Sequence, residues 1–315
     1  GMTAWGCAAK KGLEDPQVGK RWDGWCTGHF QAHFIYTGVA ESLFLIFPDS
    51  TTMLLDCGCH PAHKRGKLSV PVLPNISRIA SEWSSRYVLR VNPHGKDVDY
   101  MLLTHFHQAP SGCETYHAGK TQGRAPDYFL SGFAQAAETL HFKVALDRGW
   151  PDYADPIPVD AGQSGGSLRN MKALYAHLAR RDGLTVEKFR LGARDQIVPR
   201  HDSDACRGLS VKTIFANGKI VRRDGSIRDI FTPEAWRCDS QPENLMSLGH
   251  LVTWGDFRFF TGGDFCDIFR EKGKYVCYDD MLAEEVGPVD VAKVNHHGCD
   301  SLSRKLVAAL RPKLW

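Results

Sequence analysis

With 315 residues, 43% of them apolar and 24% charged, the chain can bury a sizeable core and has the composition of a globular protein. A formal net charge of +3 does not by itself make a nucleic-acid surface, and no apolar run is long enough to span a bilayer. No signal peptide is visible, which leaves a periplasmic or a cytoplasmic home open, and ten cysteines in a chain of this length do not suggest a disulfide scaffold.

Residues 1–28 read as an irregular segment rich in Gly, Lys and Trp; 29–315 read as one domain with a large insertion at about 111–240. His33-Phe-Ile-Tyr36 predicts a short strand. Ser42–Phe47 and Thr51–Asp56, separated by Pro48-Asp-Ser50, predict a hairpin. Asn75 is placed to cap a helix running to about Arg90, with Ile76, Ile79, Ala80, Trp83 and Tyr87 on one face. Helical patterns follow near Phe133–Leu146 and Leu168–Ala179, with the proline-rich loop Pro151–Pro158 between them. Strand signals return at Val211–Ala216, Leu248–Trp254 and Phe257–Thr261, the last two joined by the turn pair Gly255-Asp256. Val289–Asn295 predicts a final strand, and Ser301 a cap for a helix ending near Leu310. Strands interleaved with helices in two successive halves predict a layered α/β sandwich.

The segment Val98–His107 carries the most chemistry. It reads as a buried strand ending in His105 and His107, spaced so that both side chains leave an extended backbone on the same side. Two neutral imidazoles converging at a strand end form half of a metal site. Three further strand ends carry ligand-type residues: Asp56, Asp264 in Thr261-Gly-Gly-Asp264, and the turn His296-His297-Gly298. Ligands of hydrolytic metals are commonly gathered in this way, on loops held by a rigid sheet.

In this order the motifs resemble the metallo-β-lactamase superfamily. The nearest branch is that of the competence protein ComEC and related phosphodiesterases. The resemblance rests on Met53-Leu-Leu-Asp56-Cys-Gly, Thr104-His-Phe-His107, Gly263-Asp264 and His296-His297-Gly298, and covers the chain from about His33 onward. It implies a four-layer αββα sandwich and a metal-dependent hydrolase in which an acidified metal-bound water attacks a phosphodiester or other ester. It also implies roles: His105 and His107 on a first metal, Asp264 bridging two metals, one of His296 and His297 on the second, and Asp56 orienting a ligand from behind. His250, in Ser247-Leu-Gly-His250, stands near where some members place a third histidine; its other reading is a hydrogen-bonded sheet histidine.

The chain departs from the family where an Asp and a His are replaced by Ala109 and Pro110, neither of which offers a side-chain donor. Asp264 and one histidine are too few for a tightly held second ion. The expectation is one zinc rather than two, with manganese or iron as alternatives. Cys57, Cys113, Cys266 and Cys299 lie beside the motifs, and Cys266 or Cys299 could replace a lost ligand; their other reading is as small buried hydrophobes. The expected substrate is a small molecule or phosphodiester, with nucleic acid unsupported by charge. The alternative to an enzyme is a non-catalytic member that keeps the fold and binds a partner. No Gly-x-Ser-x-Gly elbow, P-loop or dinucleotide fingerprint occurs.

Overall fold

The computed structural model describes residues 2–6, 22–38, 40–58, 72–107, 117–161, 164–231, 242–265, 268–271, 274–299 and 301–315. Ala109, Pro110, Cys113 and Cys266 lie outside these ranges. Among the described residues, no helix is long and apolar enough to cross a membrane.

Two mixed sheets form the centre. The first contains, in chain order and in spatial order, β1 (Met2–Gly6), β2 (Phe30–Phe34), β3 (Leu43–Ile46), β4 (Thr52–Leu55), β5 (Asp97–Leu102), β6 (His141–Asp147) and β7 (Thr185–Lys188). Strands β1 to β4 pair antiparallel; β4 to β7 pair parallel. The next strands are β8 (Ser210–Ala216), β9 (Lys219–Val221), β10 (Ile227–Asp229), β11 (Gly249–Trp254) and β12 (Phe257–Thr261). A hairpin of β13 (Ile268–Glu271) and β14 (Lys274–Cys277) follows, and then β15 (Val291–Ala292). The second sheet runs β10-β9-β8-β11-β12-β15, with β12 and β15 parallel.

Helices α1 (Ala80–Val91), α2 (Phe133–Ala136) and α3 (Gly165–Asp182) cover the first sheet; α4 (Tyr278–Val286) and α5 (Arg304–Leu310) cover the second. Three apolar layers hold the stack together. Phe44, Ile46 and Leu54 face Val88, Phe133 and Leu174 on the helix side of the first sheet. Leu43, Leu45, Met53 and Leu55 face Val211, Val252 and Phe259 between the sheets. Phe215, Leu251 and Phe260 face Leu282, Leu306 and Leu310 beyond the second sheet. All residues of β3 and β4 are therefore buried. Sheets covered on both faces select continuous apolar runs rather than alternation. The architecture is an α/β sandwich with the layer order αββα.

Several elements differ from the expectations. Met2–Gly6 pairs with β2 inside the supposedly irregular start. The helical pattern at 133–146 resolves into the single turn α2 and the strand β6, because pairing with β5 buries Val144, Ala145 and Leu146 on a sheet. Asn75 accepts from the Ser77 N–H, which satisfies a turn rather than starting α1 at that residue. Ser303, not Ser301, caps α5 by accepting from the Leu306 N–H.

Candidate metal centre

Parallel neighbours end at the same edge of a sheet, and ligands collect at such carboxyl ends. β4 and β5 end side by side, followed at once by Asp56 and by Thr104-His105. β12 and β15 end side by side on the facing sheet, followed by Asp264 and by Lys293–His297. The facing of the two sheets then brings these four chain segments to one place.

His105 is fully buried, and its Nδ1 lies 2.9 Å from the Thr104 hydroxyl. That hydroxyl donates its single proton to Asp56 Oδ2 at 2.6 Å, so it accepts from the Nδ1–H of His105. In that tautomer Nε2 is bare, as a metal ligand requires. Asp56 Oδ1 also accepts from the Thr104 N–H at 2.9 Å. Nε2 of His105 is buried with no hydrogen-bond partner among the described residues and points at Asp264 Oδ2, 3.6 Å away. Oδ1 of Asp264 is likewise buried and without a partner among the described residues, while its backbone N–H donates to Ser247 Oγ. The rings of His105 and His107 lie 5.8 Å apart at 24°. Donor atoms of His105, His107 and Asp264 all fall within 4.8 Å of one another.

A second group shares the same carboxylate: donor atoms of Glu41, Asp264 and His297 also lie within 4.8 Å of one another. Of the two adjacent histidines, His297 faces Asp264, with Nε2 3.2 Å from Oδ2. His296 turns instead toward Asn244, with Nε2 3.1 Å from Nδ2. This arrangement needs left-handed backbone at both histidines (φ 44° and 53°) and at Gly298 (φ 81°). Non-glycine residues in that region are strained and persist where the surroundings over-determine them. The approach of β12 to the site also requires glycine. At Gly263 (φ +56°) an added Cβ would lie 2.8 Å from the Thr104 side chain, and at Gly262 2.4 Å from Asn295 Oδ1.

The electrostatics follow from burial. Desolvation pushes His105 down to about 3, although Asp264 opposes it. Burial works to raise Asp264, but His297, His105 and Lys293 outweigh it and hold the carboxyl well below its usual range. Burial works to lower His297, and Asp264 outweighs it and raises the imidazole. Asp56 is pushed well above the usual carboxylate range by burial and then by the neighbouring Glu41. A buried imidazole nitrogen aimed at a buried carboxylate, whose other oxygen has no hydrogen-bond partner among the described residues, fits a divalent cation. An all-N/O set suits zinc, iron or manganese alike.

Some expected residues are not brought together. His250 is fully buried between the sheets beside Phe189, with ring centroids 5.1 Å apart, and belongs to neither group. Cys57 packs in the helix-side core and Cys299 is exposed; neither joins the donor groups. A further group, His94, Asp99 and His201, sits six residues up β5 from His105, about 20 Å away at ~3.3 Å per residue. Its carboxylate is already held by Lys143 Nζ and the Thr52 N–H, each at 2.9 Å.

The structure also adds residues that sequence reasoning missed. Glu41 and Lys293 form a buried ion pair beside Asp264, and Lys293 Nζ donates to the Gly263 carbonyl at 2.7 Å. Arg148, fully buried, pairs with Glu243, whose Oε2 accepts from the Phe106 N–H between the two histidines. Glu243 lies in the short helical segment Pro242–Met246 with Asn244, which faces His296. A lysine in the apolar run Val289–Asn295 was a usable signal; Glu41 carried none.

No model of a known protein family matches the chain, and no curated protein does. Similar solved structures include the metallo-β-lactamase fold protein YhfI from Bacillus subtilis, at 10% identity and a TM-score of 0.35, with 81% of this chain and 62% of that one covered. The diiron β-hydroxylase CmlA from Streptomyces venezuelae is 14% identical at a TM-score of 0.38, with 90% and 44% covered. A β-lactamase domain protein from Burkholderia ambifaria is 11% identical at 0.36, with 91% and 78% covered. The chain spans 45% of the length of a CmlA variant and 62% of YhfI.

Proposed function

We propose that the chain is a metal-dependent hydrolase of the metallo-β-lactamase superfamily, related to the ComEC branch and acting on phosphodiester or other ester bonds. One divalent ion would be held by His105, His107 and Asp264. The observation that carries this reading is the convergence of His105 Nε2 and Asp264 Oδ2, two buried donors from facing sheets, 3.6 Å apart. When bound, such an ion supplies a Lewis acid and an acidified water. The chain's residues do the positioning. Asp56 and Thr104 lock the His105 ring, and Ser247 fixes the Asp264 backbone. His297, whose side chain is 26% exposed, stands at the open side with Nε2 3.2 Å from Asp264 Oδ2, where a proton donor would serve a leaving oxygen.

The replacement of an Asp and a His by Ala109 and Pro110 favours a second reading, a non-catalytic member that retains the fold as a binding protein. Elemental analysis of protein purified without chelator separates the two. About one zinc, iron or manganese per chain, lost in His105→Ala, together with turnover of bis-p-nitrophenyl phosphate, supports the enzyme. Metal-free protein that stays inactive with added Mn²⁺ supports the second reading. Activity that appears only in Ala109→Asp/Pro110→His would mark a lapsed enzyme.

A further inference from the structure

We infer that the Lys293 ammonium occupies the place of the second cation in this centre, so that the chain binds one metal ion and supplies the other positive charge itself. This rests on the metal centre proposed above. Glu41, Asp264 and His297 would by themselves give a second ion the three protein ligands that a catalytic site ordinarily has. Asp264 is common to both groups, as the bridging carboxylate of a two-metal centre would be. The second position nevertheless already holds a cation. Lys293 is 8% exposed, forms an ion pair with Glu41 and donates to the Gly263 carbonyl at 2.7 Å, one residue before Asp264.

The charge balance explains why something positive must stand there. Glu41, its side chain 11% exposed, and the buried Asp264 approach each other, with Asp56 beside Glu41. Carboxylates so close and so poorly solvated repel strongly unless a cation lies among them. The ammonium does this with a fixed tether, since Lys293 follows β15 directly and its N–H donates to the Phe260 carbonyl at 2.8 Å. A divalent ion on Glu41 would have to displace Lys293 from that carboxylate and then sit beside an ammonium with no counter-ion. Glu41 is therefore the anchor of Lys293, and Lys293 is a positioning residue that excludes a second ion.

The test counts ions. Wild-type protein, Lys293→Ala and Lys293→Arg are stripped, checked for folding by circular dichroism, and titrated with Co²⁺ by equilibrium dialysis and visible absorption. The expected result is one Co²⁺ per chain in wild type and Lys293→Arg and two in Lys293→Ala, with Lys293→Ala/Glu41→Gln returning to one. If Lys293→Ala folds only with metal, its melting temperature should recover in two steps as Co²⁺ is added. Two ions in wild type would overturn the inference and leave the proposed metal centre standing. One ion in folded Lys293→Ala would also overturn it. No bound Co²⁺ in wild type would sink the metal centre itself and this inference with it.

Discussion

Arg148→Met tests whether the metal-side loop is held by a buried ion pair. Arg148 is fully buried; its Nε donates to Glu243 Oε2 at 2.9 Å, Nη2 pairs with Oε1, and Nη1 donates to the Asp155 carbonyl at 3.1 Å. Methionine fills the apolar length of the side chain and leaves the Glu243 carboxylate, 5% exposed, without its counter-ion. Removing one partner of a buried pair costs about 3–5 kcal/mol. An unfolding entropy of about 2.1 cal/mol/K per residue over 315 residues gives roughly 0.66 kcal/mol/K, so the melting temperature should fall by about 5–8 °C. Replacing both partners, as Arg148→Met/Glu243→Leu, should recover much of that loss, because two apolar groups leave no charge stranded. It would not recover metal affinity, since the Phe106 N–H between His105 and His107 loses its acceptor in the double variant. Thermal melts and Zn²⁺ titrations of the three variants read both effects. A single variant within about 1 °C of wild type and unchanged in Zn²⁺ affinity would refute the reasoning.

Two further outcomes follow from the same network. Thr104→Val removes the hydroxyl that joins Asp56 to His105 Nδ1; metal affinity should fall about 10–100-fold with the fold retained, and unchanged affinity in a chelator competition would count against the orienting role. Asp49 carries an acid-stability signature. Burial works to raise its carboxyl, but the Thr51 hydroxyl, the His201 and Thr51 N–H groups and Cys206 outweigh it and hold it below the ordinary value. A depressed carboxylate contributes stability that is complete above the unfolded value of about 3.9 and is lost as pH falls through the folded one. Asp49→Asn should therefore flatten the melting temperature against pH below about pH 4 relative to wild type, and an identical acid limb in both proteins would contradict this.

What could be seen in the sequence was whatever is local. β-rich runs and turn chemistry placed the strands from Ser42 to Asp56 and the hairpin about Gly255-Asp256, and the structure has β3, β4, β11 and β12 there. Ligand-type residues at strand ends marked Asp56, His105 and Asp264, which the structure gathers into one site. What could not be seen depends on the two sheets facing each other. Glu41 precedes β3 in the first sheet and Lys293 follows β15 in the second, 252 positions on in the chain, and neither has a local pattern that predicts the other. The choice of His297 over His296 depends on left-handed backbone at two successive non-glycine residues, which local sequence does not dictate. The strand β6 was hidden because Phe133–Leu146 spaces its apolar residues for a helix as well as for a doubly covered strand, and only pairing with β5 decides between them.

His250 shows where motif spacing and geometry part. The sequence set it near a third-histidine position, while the structure seats it opposite Thr261 and Thr213 in the second sheet. Burial there pushes its imidazole down to about 3, and neither ring nitrogen has a hydrogen-bond partner among the described residues. An imidazole buried neutral with unsatisfied nitrogens costs about 1–3 kcal/mol relative to an apolar side chain of similar volume. The inter-sheet core around it is built of Leu248, Val252, Phe189 and Leu146, which leucine would extend. His250→Leu should therefore melt at or above the wild-type temperature and bind the same number of metal ions. Loss of bound metal in a His250→Leu protein that still folds would place this ring in the centre, and the facing of the two sheets around Phe189 would then have to differ from the arrangement described above.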